Sequence, residues 1–233
     1  MQSRNYWVLT RDEVICRPEA CGPLYVTLHQ LIEVFVRIIE GKDPFTKNHS
    51  EIVAVLAYML ALACGLPPRG ADLIHLAGHL HDIGKLDIPD HILKKPGPLT
   101  KEEFEIVKLH PLKGFELLKD IKAFQGKGGV LDMILHHHER WDGKGYPFGL
   151  KGEEIPLGAR IIAIADAFSA MVCKRPYRKP LSIDEAFEEI RRGAGTQFDP
   201  LLAGIFLDLS DKVISWVSPI LEENNEVDIE FHH

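Results

Sequence analysis

The chain has 233 residues, 45% hydrophobic and 26% charged, with a formal net charge of -7. That is enough to bury a sizeable core, and the acidic balance argues against a protein whose main task is to grip a nucleic-acid polymer. A small phosphate ester stays open as a substrate, because metals and a few local cations invert the potential inside a cleft.

Residues 1–23 show little periodicity and no signal-peptide core. The four cysteines, Cys16, Cys21, Cys64 and Cys173, have no CxxC spacing, which points to reduced thiols and the cytoplasm. From Leu24 to Glu40 apolar residues recur at helical spacing, and Gly41-Lys-Asp-Pro44 stops the run. A second helix is expected over Asn48 to Ala63 and a third from Arg69 to His81. The apolar stretch Val53 to Leu66 is uncharged but too short for a membrane span, so a buried helix suits it better. Glycines and prolines from Gly84 to Pro98 mark an irregular connection around a short helical turn at Asp90 to Leu93. Thr100 and Glu103 form a capping-box start. Pro111 breaks the next helix and biases His110 away from helical geometry, placing it at a junction. A helix from Gly129 to about His138 precedes a glycine-rich loop, Glu139 to Leu157. Gly158 to Met171 is apolar almost all round, as a central buried helix would be. Ser182 caps a helix to about Arg192, Asp199-Pro200 opens the last one, and from Ser218 an acidic, loosely held tail is expected.

The fold class is therefore all-α, a single helical bundle domain over 24–217 with a segment 1–23 before it and a tail 218–233 after it. The apolar faces between Leu24 and Ala63 suit core packing first, and a homodimer or signalling-partner surface second.

His81-Asp82 ends an apolar run of Leu73, Ile74, Leu76, Ala77 and Leu80. An ionised carboxylate beside an imidazole in such a setting is costly without a positive compensator, and a metal ion is a strong one. Further donors are His49 at a helix start, His110 at the kink, His137 and His138 at a helix end, and Asp166 in the most apolar helix. Termini and junctions are where side chains from several helices converge. Singly, His49 suits a capping or solvated role; as a set, imidazoles and carboxylates without thiolate suit iron, manganese, zinc or nickel. An Asp between two metals can bridge them, two such metals activate a shared hydroxide for attack on phosphorus, and Lys85 could neutralise the phosphate. His136 is expected not to ligate, and His75 and His79 to be exposed or merely packed.

His81-Asp82-Ile-Gly-Lys85 together with His137-His138-Glu-Arg-Trp-Asp-Gly-Lys-Gly145-Tyr146-Pro147 resembles the HD-GYP family of HD metal-dependent phosphohydrolases. The likeness runs from about Asp43 to Ala203 and takes in Pro96-Gly-Pro-Leu-Thr100, Glu154-Ile-Pro156, Arg160-Ile161 and Gly195-Thr-Gln-Phe-Asp-Pro200. It implies an HD-type bundle with a metal centre in its core, and hydrolysis of cyclic di-GMP to pGpG and often on to GMP. It also implies His49, His81, Asp82, His110, His137, His138 and Asp166 as metal ligands, with Asp82 the bridge and Asp82 and Lys85 the catalytic residues. Lys85, Arg175 and Arg178 match substrate-phosphate cations, and Tyr146, Gly143 and Lys144 belong to the loop that shapes the pocket.

The sequence departs from the family at three places. Phe45 replaces a glutamate that accompanies a third metal, so two divalent ions are expected. Lys144 stands where a small residue is common, and Ser169 where an aspartate is usual, neither being expected to touch the ligand set. Two other functions stay open, hydrolysis of another cyclic or linear dinucleotide, and a catalytically weak cyclic di-GMP sensor or partner-binding module.

Overall fold

The computed structural model describes residues 32–43, 48–173 and 179–230. Phe45, Arg175, Arg178, Cys16, Cys21 and the periodic run before residue 32 lie outside them. The described residues form helices and turns, with one isolated bridge between Ala194 and Phe198 and no strand.

Helix α1 covers 32–42. It is followed by α2 (His49–Ala63), α3 (Pro68–Leu80) and the short α4 (Asp90–Leu93). Then come α5 (Lys101–Val107), α6 (His110–Leu118), α7 (Val130–His136) and α8 (Leu157–Val172). The chain closes with α9 (Ile183–Gly193), α10 (Pro200–Asp208) and α11 (Ser210–Glu230). α2 packs along both α3 and α8, and α7 lies against α3, α6 and α8. The result is a bundle whose middle is α2 and α8.

Composition explains why these two are central. Ile52, Val53, Leu56, Ala57, Leu60 and Ala61 of α2 are fully covered, as are Ile161, Ile162, Ile164, Ala165 and Phe168 of α8. Phe168 also anchors an aromatic group with Phe187 and Phe206, at centroid distances of 5.0 and 5.4 Å, which ties α9 and α10 to the bundle. Each buried Val, Leu, Ile or Phe among them contributes about 1.5–3 kcal/mol of hydrophobic stabilisation.

The caps expected at Thr100 and Ser182 are both formed, with Glu103 and Glu185 completing the boxes. Asp199 caps α10 through the backbone N–H groups of Leu201 and Leu202. Two expectations need correction. α10 is not the last helix, because α11 continues past Ser218 with Val217 and Ile220 buried. Pro219 lies within α11, and the acidic run that gives this end the look of a tail begins only after Leu221. His110 does lie at the junction of two helices, but as the first helical residue of α6. Pro111 is then in the first turn, where a missing N–H leaves no hydrogen bond unmade.

Candidate metal centre

The bundle gathers helix ends around one point. His49 is the first residue of α2, His81 caps the end of α3, His110 opens α6 and His137 caps the end of α7. His138 follows directly, and Asp166 projects from the middle of α8. Asp82 leads into a 3-10 turn, Ile83–Asp87, which packs on α6. That contact requires Gly84. A Cβ there would overlap the His110 carbonyl and crowd the Gly114 amide, so only glycine lets His110 come this close to Asp82.

All seven donors expected from the sequence meet here. Three overlapping sets have donor atoms within 4.8 Å of one another: His49, His81 and Asp166; His110, His137 and His138; and His81, Asp82 and His137. Asp82 spans the two sides. Its Oδ2 lies 3.4 Å from His81 Nε2 and 3.9 Å from His49 Nε2, while its Oδ1 lies 3.3 Å from His110 Nε2. Asp166 also spans them, with Oδ1 3.3 Å from His49 Nε2 and Oδ2 3.9 Å from His138 Nδ1.

The outward side of each ring fixes what the inward side offers. Nδ1 of His81 lies 2.7 Å from the Gly78 carbonyl, that of His110 2.8 Å from the Val107 carbonyl, and that of His137 2.7 Å from the Ile134 carbonyl. A carbonyl only accepts, so each Nδ1 carries the proton and each neutral ring turns a bare Nε2 lone pair inward. The consequence is an excess of acceptors. His110 and His137 face each other Nε2 to Nε2 at 3.2 Å, and Nε2 of His49 and His81 are buried without a hydrogen-bond partner. Buried polar atoms are rarely left so. Divalent cations fit this arrangement, since they accept several lone pairs at once and offset two carboxylates.

Burial pushes the pKa of His110 down to about 3 and holds that of His137 well below its ordinary value. It lowers His49 and His138 as well, although Asp166 opposes the shift in both. His81 differs: burial works against its protonation, but Asp82 and Asp166 outweigh it and the pKa rises. Burial alone would raise Asp82 and Asp166, yet Lys85 and His81 for the first and His49 and His81 for the second hold both well below the usual carboxylate range. The centre thus presents ionised carboxylates and mostly neutral imidazoles, the protonation states that bind metals.

Lys85 Nζ is 2.8 Å from Asp82 Oδ2 and 3.0 Å from Asp43 Oδ2. In the sequence Asp43 stands only within the helix stop Gly41-Lys-Asp-Pro44; in the fold it is buried beside the site. Ser169 corrects the expectation that it stays clear of the donors. Its hydroxyl, fully buried, lies 2.8 Å from His49 Nδ1 and so gives His49 an outward partner as well. The helical interval of three between Asp166 and Ser169 on α8 was the available signal.

The loop after His138 closes one side. Glu139, without an assigned role in the sequence, is buried and points away from the donors, accepting from the Phe148 and Leu150 amides at 2.7 and 3.1 Å. Gly145 lies against the backbone of His138, Glu139 and Arg140, leaving no room for a side chain. Tyr146 is thereby laid on His138, with ring centroids 4.8 Å apart. Burial, and then Asp166 and Asp82, raise the Tyr146 pKa, so its phenol stays protonated. Gly143 has φ 77°, a left-handed turn, and the Lys144 amide donates to Asp142 at 3.0 Å while the Lys144 side chain is exposed. The Trp141 and Asp142 amides donate to the Gln197 and Thr196 carbonyls, and Arg160 joins Asp199 at 2.6 Å, so the motif residues downstream brace this loop.

His136 lies apart from the donor groups, with its ring 5.5 Å from Phe148. His75 and His79 are packed rather than exposed, Nε2 to Nε2 at 3.2 Å on α3.

Comparison with known proteins agrees with this architecture. The HD domain model matches residues 33–202. The chain belongs to the HD-domain family. Its motifs and its relatives place it in the HD-GYP branch. It is 42% identical over 186 residues to a cyclic di-GMP phosphodiesterase of Thermotoga maritima, covering 80% of this chain and 50% of the relative. It is 37% identical over 189 residues to 3'3'-cGAMP-specific phosphodiesterase 2 of Vibrio cholerae, covering 81% and 36%. The solved structure of a Vibrio cholerae cyclic GMP-AMP specific phosphodiesterase shares the fold, with a TM-score of 0.59 and 18% identity over 79% of this chain and 50% of that one. The chain thus spans about half the length, or less, of the relatives it matches. Among the described residues no helix is long and apolar enough to cross a membrane.

Proposed function

We propose that this chain is a metal-dependent phosphodiesterase that hydrolyses cyclic di-GMP to pGpG, GMP or both. The observation that carries the proposal is the Asp82 carboxylate, whose Oδ2 faces His81 and His49 while its Oδ1 faces His110. Such an arrangement suits two divalent ions with Asp82 between them. His49, His81 and Asp166 would hold one, and His110, His137 and His138 the other. Nitrogen and oxygen donors without thiolate favour iron or manganese, with zinc and nickel also accepted. Bound there, the ions supply Lewis acidity and lower the pKa of water that attacks phosphorus.

The chain's own residues then have defined tasks. Asp82 fixes the spacing of the two groups. Lys85, next to Asp82, offsets the charge that builds on the phosphate. Tyr146, held protonated, offers a hydroxyl at the wall of the pocket, while Gly143 and Lys144 set the course of the loop that carries it. Arg175 and Arg178 are assigned as phosphate-binding cations from their sequence alone.

A second reading keeps the chemistry and changes the substrate to a cyclic GMP-AMP, supported by the likeness to the Vibrio cholerae relative. The test is to strip the protein with chelator, restore iron or manganese anaerobically, and identify products from both dinucleotides by chromatography. Metal-dependent cleavage of cyclic di-GMP is expected. Cleavage of cyclic GMP-AMP alone would support the second reading, and tight binding without cleavage would make the chain a sensor.

A further inference from the structure

The donor cluster is not equally closed on all sides. His49, His81, His110 and His137 are buried, whereas the His138 side chain is 27% exposed and Asp166 15%. The centre therefore opens towards His138. Going outward from it, Tyr146 lies on His138, and Lys108 comes next, with Nζ 5.9 Å from the Tyr146 ring centroid. The same Nζ is 5.6 Å from the centroid of Phe104. Phe104 is 48% exposed, on a helix that buries none of its residues, so its ring is not held there by core packing.

An imidazole, a phenol, an ammonium group and an exposed phenyl ring thus follow one another from the donors to solvent. Lys108 is also paired with Glu105 at 2.6 Å, but Glu105 is 67% exposed, and surface pairs of this kind are weak and readily exchanged.

We infer that Phe104 and Lys108 form a substrate subsite on the rim of the centre, Phe104 stacking a nucleobase and Lys108 holding a phosphate of the same dinucleotide. The inference rests on the phosphodiesterase reading above and adds to it the residues that select a nucleotide over a plain diester. An exposed aromatic face beside a cation is the combination that single-stranded nucleotides use, since every base has a π-face and every phosphate is an acceptor. The cation already lies between the two rings, so a phosphate bound to it would leave its base beside Phe104.

The experiment compares kcat/KM for cyclic di-GMP with that for bis(p-nitrophenyl) phosphate, a diester without nucleobases, on the metal-loaded chain. Phe104→Ala should lower the ratio of the two by about 10-fold or more, the size of one lost base stack, mainly through KM for the dinucleotide. Phe104→Trp should restore it. Lys108→Ala should raise KM for cyclic di-GMP, and Lys108→Arg should recover most of the loss. An unchanged ratio in Phe104→Ala, both substrates falling in step, or a Phe104→Trp as poor as alanine would overturn the inference while leaving the phosphodiesterase reading intact. A wild-type chain that cleaves the plain diester but not the dinucleotide would overturn both.

Discussion

His110 and His137 approach through their Nε2 atoms at 3.2 Å while each donates its Nδ1 proton to a backbone carbonyl. Neither neutral ring has a proton left for the other, so the contact is between two lone pairs and is repulsive until a cation enters. His110→Ala should therefore cost the chain about one of two bound ions, measured by elemental analysis after gel filtration. The same variant without metal should lose less stability than a buried His→Ala change usually costs, because it removes a repulsion.

Ser169 supports His49 in the way that backbone carbonyls support His81, His110 and His137. Ser169→Ala should weaken binding of the ion next to His49 by about 10- to 100-fold, the usual cost of losing an outer partner of a ligand histidine. Titration against a chromophoric chelator would read this directly. Two ions leaving at unequal chelator concentrations, against near-equal release in the unsubstituted protein, is the expected pattern.

Acid should destabilise the metal-free protein. For His49, His110, His137 and His138 the folded-state pKa is below the unfolded one, so the unfolded chain binds more protons once pH falls below about 6.5. Their stabilisation is present above that pH and is lost as pH falls. His81, with a raised folded pKa, acts in the opposite sense, contributing below about 6.5 and losing its effect as pH rises through the folded value. Four groups outweigh one, so Tm of the chelated protein should fall between pH 7 and pH 5. A Tm that rises over that interval would show that these rings are charged in the fold.

Glu139 holds the loop rather than the metal. Glu139→Ala leaves the Phe148 and Leu150 amides without their acceptor and should cost about 2–4 kcal/mol in stability, measured by urea denaturation. Its metal content should match that of the unsubstituted chain.

Much of this centre was legible in the sequence because its donors are chemically costly to bury. A carboxylate in the apolar run of α8, and a His-Asp pair at the end of that of α3, each announce a compensator. The helices were legible where caps or apolar periodicity mark them, as at Thr100, Ser182 and α2. What escaped is what depends on three-dimensional contact between modest residues. Ser169 shows in the sequence only as a neighbour of Asp166 on one helix face, Asp43 gives no sign that it meets Lys85, and Glu139 looks like one more donor beside three histidines. The extent of α11 is masked in the sequence by the acidic run that follows Leu221, although Val213, Val217 and Ile220 before it form a buried stripe.

The central claim is that Asp82 joins two metal positions that together cleave a cyclic dinucleotide. Its most direct test is metal quantification and cyclic di-GMP turnover on one anaerobic sample, for the unsubstituted chain and for Asp82→Ala. The account predicts about two ions per chain with pGpG or GMP formed, and loss of both metal and turnover in Asp82→Ala. Full turnover by Asp82→Ala, or turnover by a metal-free chain, would contradict it.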